Sequence, residues 1–325
     1  MSLPRRALLA AVLPCAAPAR AQPAWPDRPL RLVVPFPPGG NIDSLSRLLA
    51  IQLGTRLAQP VVVENRPGAG GALGAEHVAN SRPDGHTLMM GSNGSMIGNL
   101  LTQANLPYDP VRQFRPVGLC AVLPMVVAVR ADHPARTVQE LVAMARAAPG
   151  RVSCGTAGIG SSNHLALALF DAAAQAGIVH VPYRGSGPMV PDLLAGNVTC
   201  VMEQVSGALP LVREGRLRLL AVTGAARSRQ LPDVPTLVEA GFAGAVMVSW
   251  NGLVVPTGVP APVTERLSAL LPECLDAPAL RDQMEGLGVE IARPPQTTPA
   301  WFGEFLRQDL ETTRRAVQLA GLKPE

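Results

Sequence analysis

The sequence predicts an α/β fold of two lobes joined by two crossovers. Three observations predict it. Short apolar runs alternate with helix-period stretches for most of the 325 residues. Turns rich in glycine and serine stand where several of those runs hand over to a helical pattern. A late apolar run, Val246–Val255, has the position of a strand returning from a second lobe to the first.

The elements follow in order. Arg5 and Arg6 precede an apolar stretch from Ala7 to Ala17, and Ala19-Arg20-Ala21 places small residues where a signal peptidase needs them. Residues 1–21 are therefore expected to be a cleaved export signal, with Sec and twin-arginine routes both open. Leu30–Val34 reads as the first strand, broken by Pro35-Phe-Pro-Pro-Gly-Gly40. Leu45, Leu48, Leu49, Leu53 and Leu57 then recur at helical spacing and predict a helix over 43–58. Further strands are expected at Val61–Glu64, Thr87–Met90, Met125–Val129, Val152–Cys154, Val179–Val181, Val198–Met202 and Leu217–Thr223. Helices are expected at 71–80, 137–148, 161–175, 187–195 and 263–275, and the rhythm implies largely parallel sheets. The chain is expected to leave the first lobe near residue 124. The boundaries are then 22–124 plus 248–325 for the first lobe and 125–247 for the second.

Composition narrows the function. Hydrophobic residues make up 47% of the chain, enough for two ordinary cores, while aromatics are only 3%. The formal charge is +4, and removing Arg5, Arg6 and Arg20 with the signal leaves +1. No basic patch interleaved with aromatics remains, so nucleic acid is not an expected partner. No later run approaches the length of a membrane span. Cys120, Cys154, Cys200 and Cys274 lack C-x-x-C spacing and read as buried small hydrophobes. A Cys154–Cys200 bridge between neighbouring strands stays open.

Four strand-to-helix turns share one design: Pro35–Asp43, Gly91–Ser95, Cys154–His164 and Pro182–Pro188. Small residues and hydroxyls at a strand's carboxyl end and a helix start leave backbone N–H groups free. Such a helix start binds anions without a basic side chain, and in open α/β sheets ligands sit there. The candidate binding residues are Phe36, Pro38, Gly39, Gly40 and Asp43, then Ser92, Asn93 and Ser95. In the second lobe they are Thr156, Ala157, Gly158, Ser161, His164, Tyr183, Gly185 and Glu203. Asp43 is either a first-turn acid that complements the helix dipole or an acceptor for the ligand or its water. Tyr183 either packs against the cleft or offers its hydroxyl, and Arg184 reads as solvated. Enzyme readings fare worse. Lys323, the only lysine, stands near the C-terminus, which excludes a P-loop or an internal Schiff-base lysine. No G-x-S-x-G elbow occurs, Leu73 breaks a dinucleotide-type glycine pattern, and the five histidines lack metal spacing. No cofactor is expected.

These residues are similar to the periplasmic substrate-binding proteins of tripartite tricarboxylate transporters, the Bordetella uptake gene family. The resemblance runs through Trp25–Gly40, Val63–Gly71, Pro83–Leu88, Tyr108-Asp-Pro110, Tyr183–Asn197, Leu219–Thr223 and Val234-Pro-Thr236. It implies a two-lobe Venus-flytrap fold and capture between the lobes of a small organic carboxylate, whether a di- or tricarboxylate, an acidic amino acid or an aromatic carboxylate. It also implies delivery to membrane permease subunits, a periplasmic location and, as expected state, a monomer. By resemblance, Pro35–Asp43 and Ser92–Ser95 hold the ligand from the first lobe, and Thr156–His164 with Tyr183 and Gly185 from the second. Asn41, where many relatives carry a small residue, and Gln113 depart from the pattern. A periplasmic carboxylate sensor and a secreted α/β hydrolase are the alternatives.

Overall fold

The computed structural model describes residues 25–324, so the expected export signal lies outside the described residues. In chain order the elements are β1 (Leu30–Val34), α1 (Asn41–Leu57), β2 (Val61–Asn65), α2 (Ala72–Ala79) and β3 (Thr87–Ser92). A wide helical turn, Gly94–Gly98, leads into α3 (Asn99–Thr102), and β4 (Phe114–Arg130) follows. Next come α4 (Val138–Ala147), β5 (Ser153–Thr156), α5 (Ser162–Ala174), β6 (Val179–Pro182) and α6 (Ser186–Ala195). They are followed by β7 (Cys200–Gln204), α7 (Val205–Arg213), β8 (Leu217–Val222) and β9 (Val248–Pro256). The chain closes with α8 (Ala261–Leu275), α9 (Pro278–Gly286), β10 (Glu290–Ile291) and α10 (Pro299–Leu319).

One strand links two sheets. The first half of β4 pairs with β9 as far as Pro124↔Val248, and from Met125 onward it pairs with β7 and β8. Pro124 has no N–H to donate, which suits the point where the ladder changes partners. The first sheet runs β2-β1-β3-β9-β4 with β10 on the far side of β4. The second runs β8-β4-β7-β5-β6. Each contains three parallel strands, but β9 is antiparallel to β3, and β4 to both β7 and β9. The expectation of largely parallel sheets therefore needs correcting. A strand that crosses between lobes and one that comes back must run in opposite directions, so both sheets become mixed.

Each lobe buries its own core. Leu30, Leu32 and Val33 of β1 and Leu45, Leu49 and Leu53 of α1 are fully buried in the first. This is the stripe that the helical spacing of leucines required. Met125 and Val127 of β4, Leu165, Leu169 and Phe170 of α5 and Leu220 of β8 fill the second. Residues 248–325 are expected wholly on the first lobe, and α10 departs from this. It has 21 residues and so spans about 30 Å. Phe302 near its start is buried in the first core, whereas Ala316 and Val317 near its end are buried in the second. Cys154 and Cys200 are register partners on parallel strands, yet the described cysteines are all free. The bond to Cys200, together with burial, pushes the Cys154 thiol well above its ordinary value.

Candidate functional site

A cavity of 1040 Å³ opens between the lobes, at the carboxyl ends of the strands. Phe36, Asn41, Ile42, Ser92, Asn93 and Asn99 line it from the first lobe. Ile159 to Asn163 and Gln204 line it from the second, and Leu123, Ser249 and Asn251 from the linking strands. Gly321, Leu322 and Lys323, just beyond α10, complete the wall.

The first turn is held from inside its own lobe. Gly39 N–H and Arg47 Nε donate to Asp43 Oδ2 at 3.0 Å each, and Asn65 Nδ2 donates to Oδ1 at 2.8 Å. Burial works to raise the Asp43 pKa, but the bonds from Arg47, Gly39 and Asn65 outweigh it and hold the carboxyl below its ordinary value. Asn65 also donates to the Phe36 carbonyl at 3.1 Å. Asp43 is thus a pin for the loop, both its oxygens accepting bonds from the turn and its neighbours, and it does not line the cavity. Pro38, Gly39 and Gly40 form the exposed outer limb of the loop and do not line the cavity. Gly39 is required by the turn, with φ at +93°. No side chain caps α1, so its first N–H groups, on Asn41, Ile42 and Asp43, keep their donor capacity.

The second turn rests on α10. Asn93 Nδ2 donates to Asp309 Oδ2 at 2.8 Å, and Trp250 Nε1 donates to the same oxygen at 2.7 Å. Burial pushes the Asp309 pKa up to about 6 against those two bonds. Ser95, expected at the ligand, is fully buried instead. Its hydroxyl accepts from Ser92 N–H at 3.1 Å and its carbonyl accepts from the Tyr108 hydroxyl, so it shapes the turn. Ser92 and Asn93 do face the cavity.

In the third turn, Ser161 Oγ accepts from His164 N–H at 3.2 Å and caps α5. His164 Nδ1 accepts from Gly160 N–H at 3.1 Å, which assigns the ring proton to Nε2. The ring stacks on His180 at 3.9 Å, and His180 Nε2 bonds Thr156 Oγ1 at 2.7 Å. Burial first, and the neighbouring His180 second, lower the His164 pKa to about 4. His164 and Thr156 therefore buttress the loop and do not line the cavity. Gly158 accepts from Ser161, and Ala157 accepts from Gly185 N–H at 3.1 Å, tying the third and fourth turns together. Tyr183 donates to Asp192 Oδ2 at 2.8 Å, so its hydroxyl is engaged away from the cleft. Glu203 is buried beneath α7, with burial raising its pKa. Its neighbour Gln204 reaches the cavity in its place.

Of the candidate residues, then, Phe36, Ser92, Asn93 and Ser161 meet at the cavity, and the others hold the turns that present it. Asn41, Ser162 and Asn163 lie within expected turns without being singled out, and Asn99, Gln204, Asn251 and Lys323 were missed in the sequence. The available signal was position: several stand one to three residues beyond a glycine turn, at a helix start. Asn41 also crosses the cleft, donating to Ser206 Oγ at 2.6 Å and to Gln204 Oε1 at 3.3 Å. Asn251 Oδ1 is left without a partner among the described residues.

A family model described as the tripartite tricarboxylate transporter family receptor matches residues 45–318. The chain belongs to this family. Among its relatives, a protein of the tcbD–tcbE intergenic region of Pseudomonas sp. strain P51 is 41% identical over 270 residues, covering 83% of this chain and 80% of its own. Two solved structures are similar throughout. Rpa4515 of R. palustris, solved with adipate, is 32% identical with a TM-score of 0.80, covering 93% of this chain and 100% of its own. MatC from Rhodopseudomonas palustris, solved with bound malate, is 31% identical with a TM-score of 0.76, covering 90% and 100%. The tripartite tricarboxylate transporter receptor thus has the two-lobe periplasmic-binding-protein fold, with its cavity between the lobes. Amides and hydroxyls dominate the wall of that cavity. Among the described residues, no histidine, cysteine or carboxylate lines it.

Proposed function

We propose that this receptor binds a small organic carboxylate between its lobes in the periplasm and presents the closed form to the permease subunits of a tripartite transporter. The observation that carries the reading is the wall of the cavity. Uncapped helix N–H groups at α1 meet the polar starts of the turns after β3 and β5, with no nucleophile and base side by side. Such a wall neutralises a carboxylate through backbone dipoles and orients it through amide side chains. Adipate and malate in two similar structures support the same ligand class.

We place the hinge at Pro124–Met125 on β4, where the two sheets exchange partners, and at Met247–Val248, where the chain re-enters the first sheet at β9. Closure of such a receptor has to be favoured by the ligand's contacts with both lobes. The test is a thermal-shift screen against a carboxylate library, followed by titration calorimetry. A ligand that binds only the folded state raises Tm, and one-to-one saturation with unchanged ligand is the expected result. Product formation, or a library that shifts nothing, would overturn the reading.

A further inference from the structure

We infer that Lys323 selects for a second carboxylate, so that the receptor prefers ligands with an anionic group at each end. This rests on the carboxylate reading above and deepens it. Among the described residues lining the cavity, Lys323 is the one that carries a charge, and no acid opposes it. It is also the only lysine in the chain. An interlobe wall of amides, hydroxyls, glycines and a few apolar side chains such as Phe36 and Ile159 therefore holds a single positive group.

Its position is built by the fold. Gly321 N–H donates to the Gln318 carbonyl at 3.1 Å and Leu322 N–H to the Val317 carbonyl at 3.1 Å. Gly321 adopts φ +65°. These two bonds around a left-handed glycine are the Schellman ending of a helix. The motif turns the chain off α10 and drives Leu322 against the second lobe's core, beside Val317. The next residue is thereby delivered to the cavity wall. Charge at a helix C-terminus often serves the helix dipole. Here the Ala316, Val317 and Gln318 carbonyls already have backbone donors, so these carbonyls do not need the ammonium.

The chemistry suits that partner. Amides at the starts of α1 and of the turn after β3 can hold one carboxylate, but they leave a second one at the rim solvated and unpaired. A lysine ammonium is a compact point charge on a flexible stem. It can follow dicarboxylates of different length and release them when the lobes part. Because Lys323 is exposed, its effect is that of a rim ion pair, about two- to fivefold in affinity and weakened by salt.

The test compares the α,ω-dicarboxylates from succinate to suberate with monocarboxylates of equal length, by calorimetry on wild type, Lys323→Met and Lys323→Arg. The wild type is expected to prefer at least one dicarboxylate over its monocarboxylate partner. Lys323→Met is expected to lose about two- to fivefold for the dicarboxylate alone, with the monocarboxylate and Tm unchanged. Lys323→Arg should keep most of the preference, and high salt should reduce it in the wild type more than in Lys323→Met. Equal loss for both ligand classes, or no loss for the dicarboxylate, would overturn the role of Lys323 while leaving the carboxylate reading standing. A wild type that binds neither class would remove both.

Discussion

Replacing Asp309 with asparagine separates the charge of this buried carboxyl from its hydrogen bonds. Trp250 Nε1 and Asn93 Nδ2 both donate to Oδ2, at 2.7 and 2.8 Å. An amide oxygen at the same position can accept both. What the substitution removes is the cost of ionisation, since burial raises the pKa from 3.8 to about 6. The folded protein holds this proton more tightly than the unfolded chain does. The stabilisation from Asp309 is therefore complete below about pH 4 and is lost as pH rises to about 6. A difference of about two pKa units corresponds to about 3 kcal/mol, or roughly 5 °C or more in Tm for a chain of this size. Thermal melts of wild type and Asp309→Asn between about pH 4 and pH 7.5 read this directly, because other titrating groups cancel in the difference. The variant is expected to gain on the wild type across that window and to run parallel above it. Parallel curves throughout would refute the account of Asp309 as a buried acid strained by its charge.

Further outcomes follow from the same contacts. Asp43→Ala unhooks Gly39 and Asn65 from the first turn and should cost about 2 kcal/mol or more, together with carboxylate affinity, measured by denaturant titration and calorimetry. Because the Asp43 pKa is lowered in the fold, its contribution is present above the ordinary carboxylate value and fades as pH falls below it. Asn41→Ala removes the bonds to Ser206 and Gln204 across the cleft. It should shift the ligand-free protein toward an open form by about 1 kcal/mol, seen as a larger radius of gyration in small-angle scattering. Glu203→Gln relieves a buried carboxyl whose Oε2 has no partner among the described residues and whose pKa is raised. Its Tm should exceed the wild type's at neutral pH, and the advantage should vanish in acid.

The strand–turn–helix units were legible because the hydrophobic period changes at each glycine turn, as at Leu30–Val34 and the leucines of α1. The second lobe's α7 was not, since Gly207 and Pro210 break its short pattern. Nor was β4 legible as one strand. Pro116 and Pro124 interrupt it, and only pairing with β9 and then with β7 carries it through. In the site, the turns were found, but several of their most distinctive side chains do not line the cavity. Asp43, Ser95, His164 and Tyr183 have strong hydrogen-bonding capacity, and each spends it on its own turn or on a neighbouring one. The cavity is left to plainer neighbours. The Lys323 position had no local signature, because where a 21-residue helix ends in space depends on packing against both lobes.

That division of labour has a physical reason. A receptor must hold an anion when closed and stay folded when empty. A buried arginine would serve the first need and fail the second, because a cation buried without its partner costs several kcal/mol. Helix-start amides carry partial charge only, and water satisfies them cheaply when the lobes part. The strong acids and bases are then free to fix the loops, as Asp43 fixes Gly39 and Asp309 fixes Asn93. If the proposed carboxylate binding holds, amide dipoles read charge more than shape, and selectivity should fall to the lining side chains Asn41, Asn99, Asn163, Gln204, Asn251 and Lys323. Exchanging those six between this chain and a similar receptor should move ligand preference. Exchanging Asp43 or His164 should move stability.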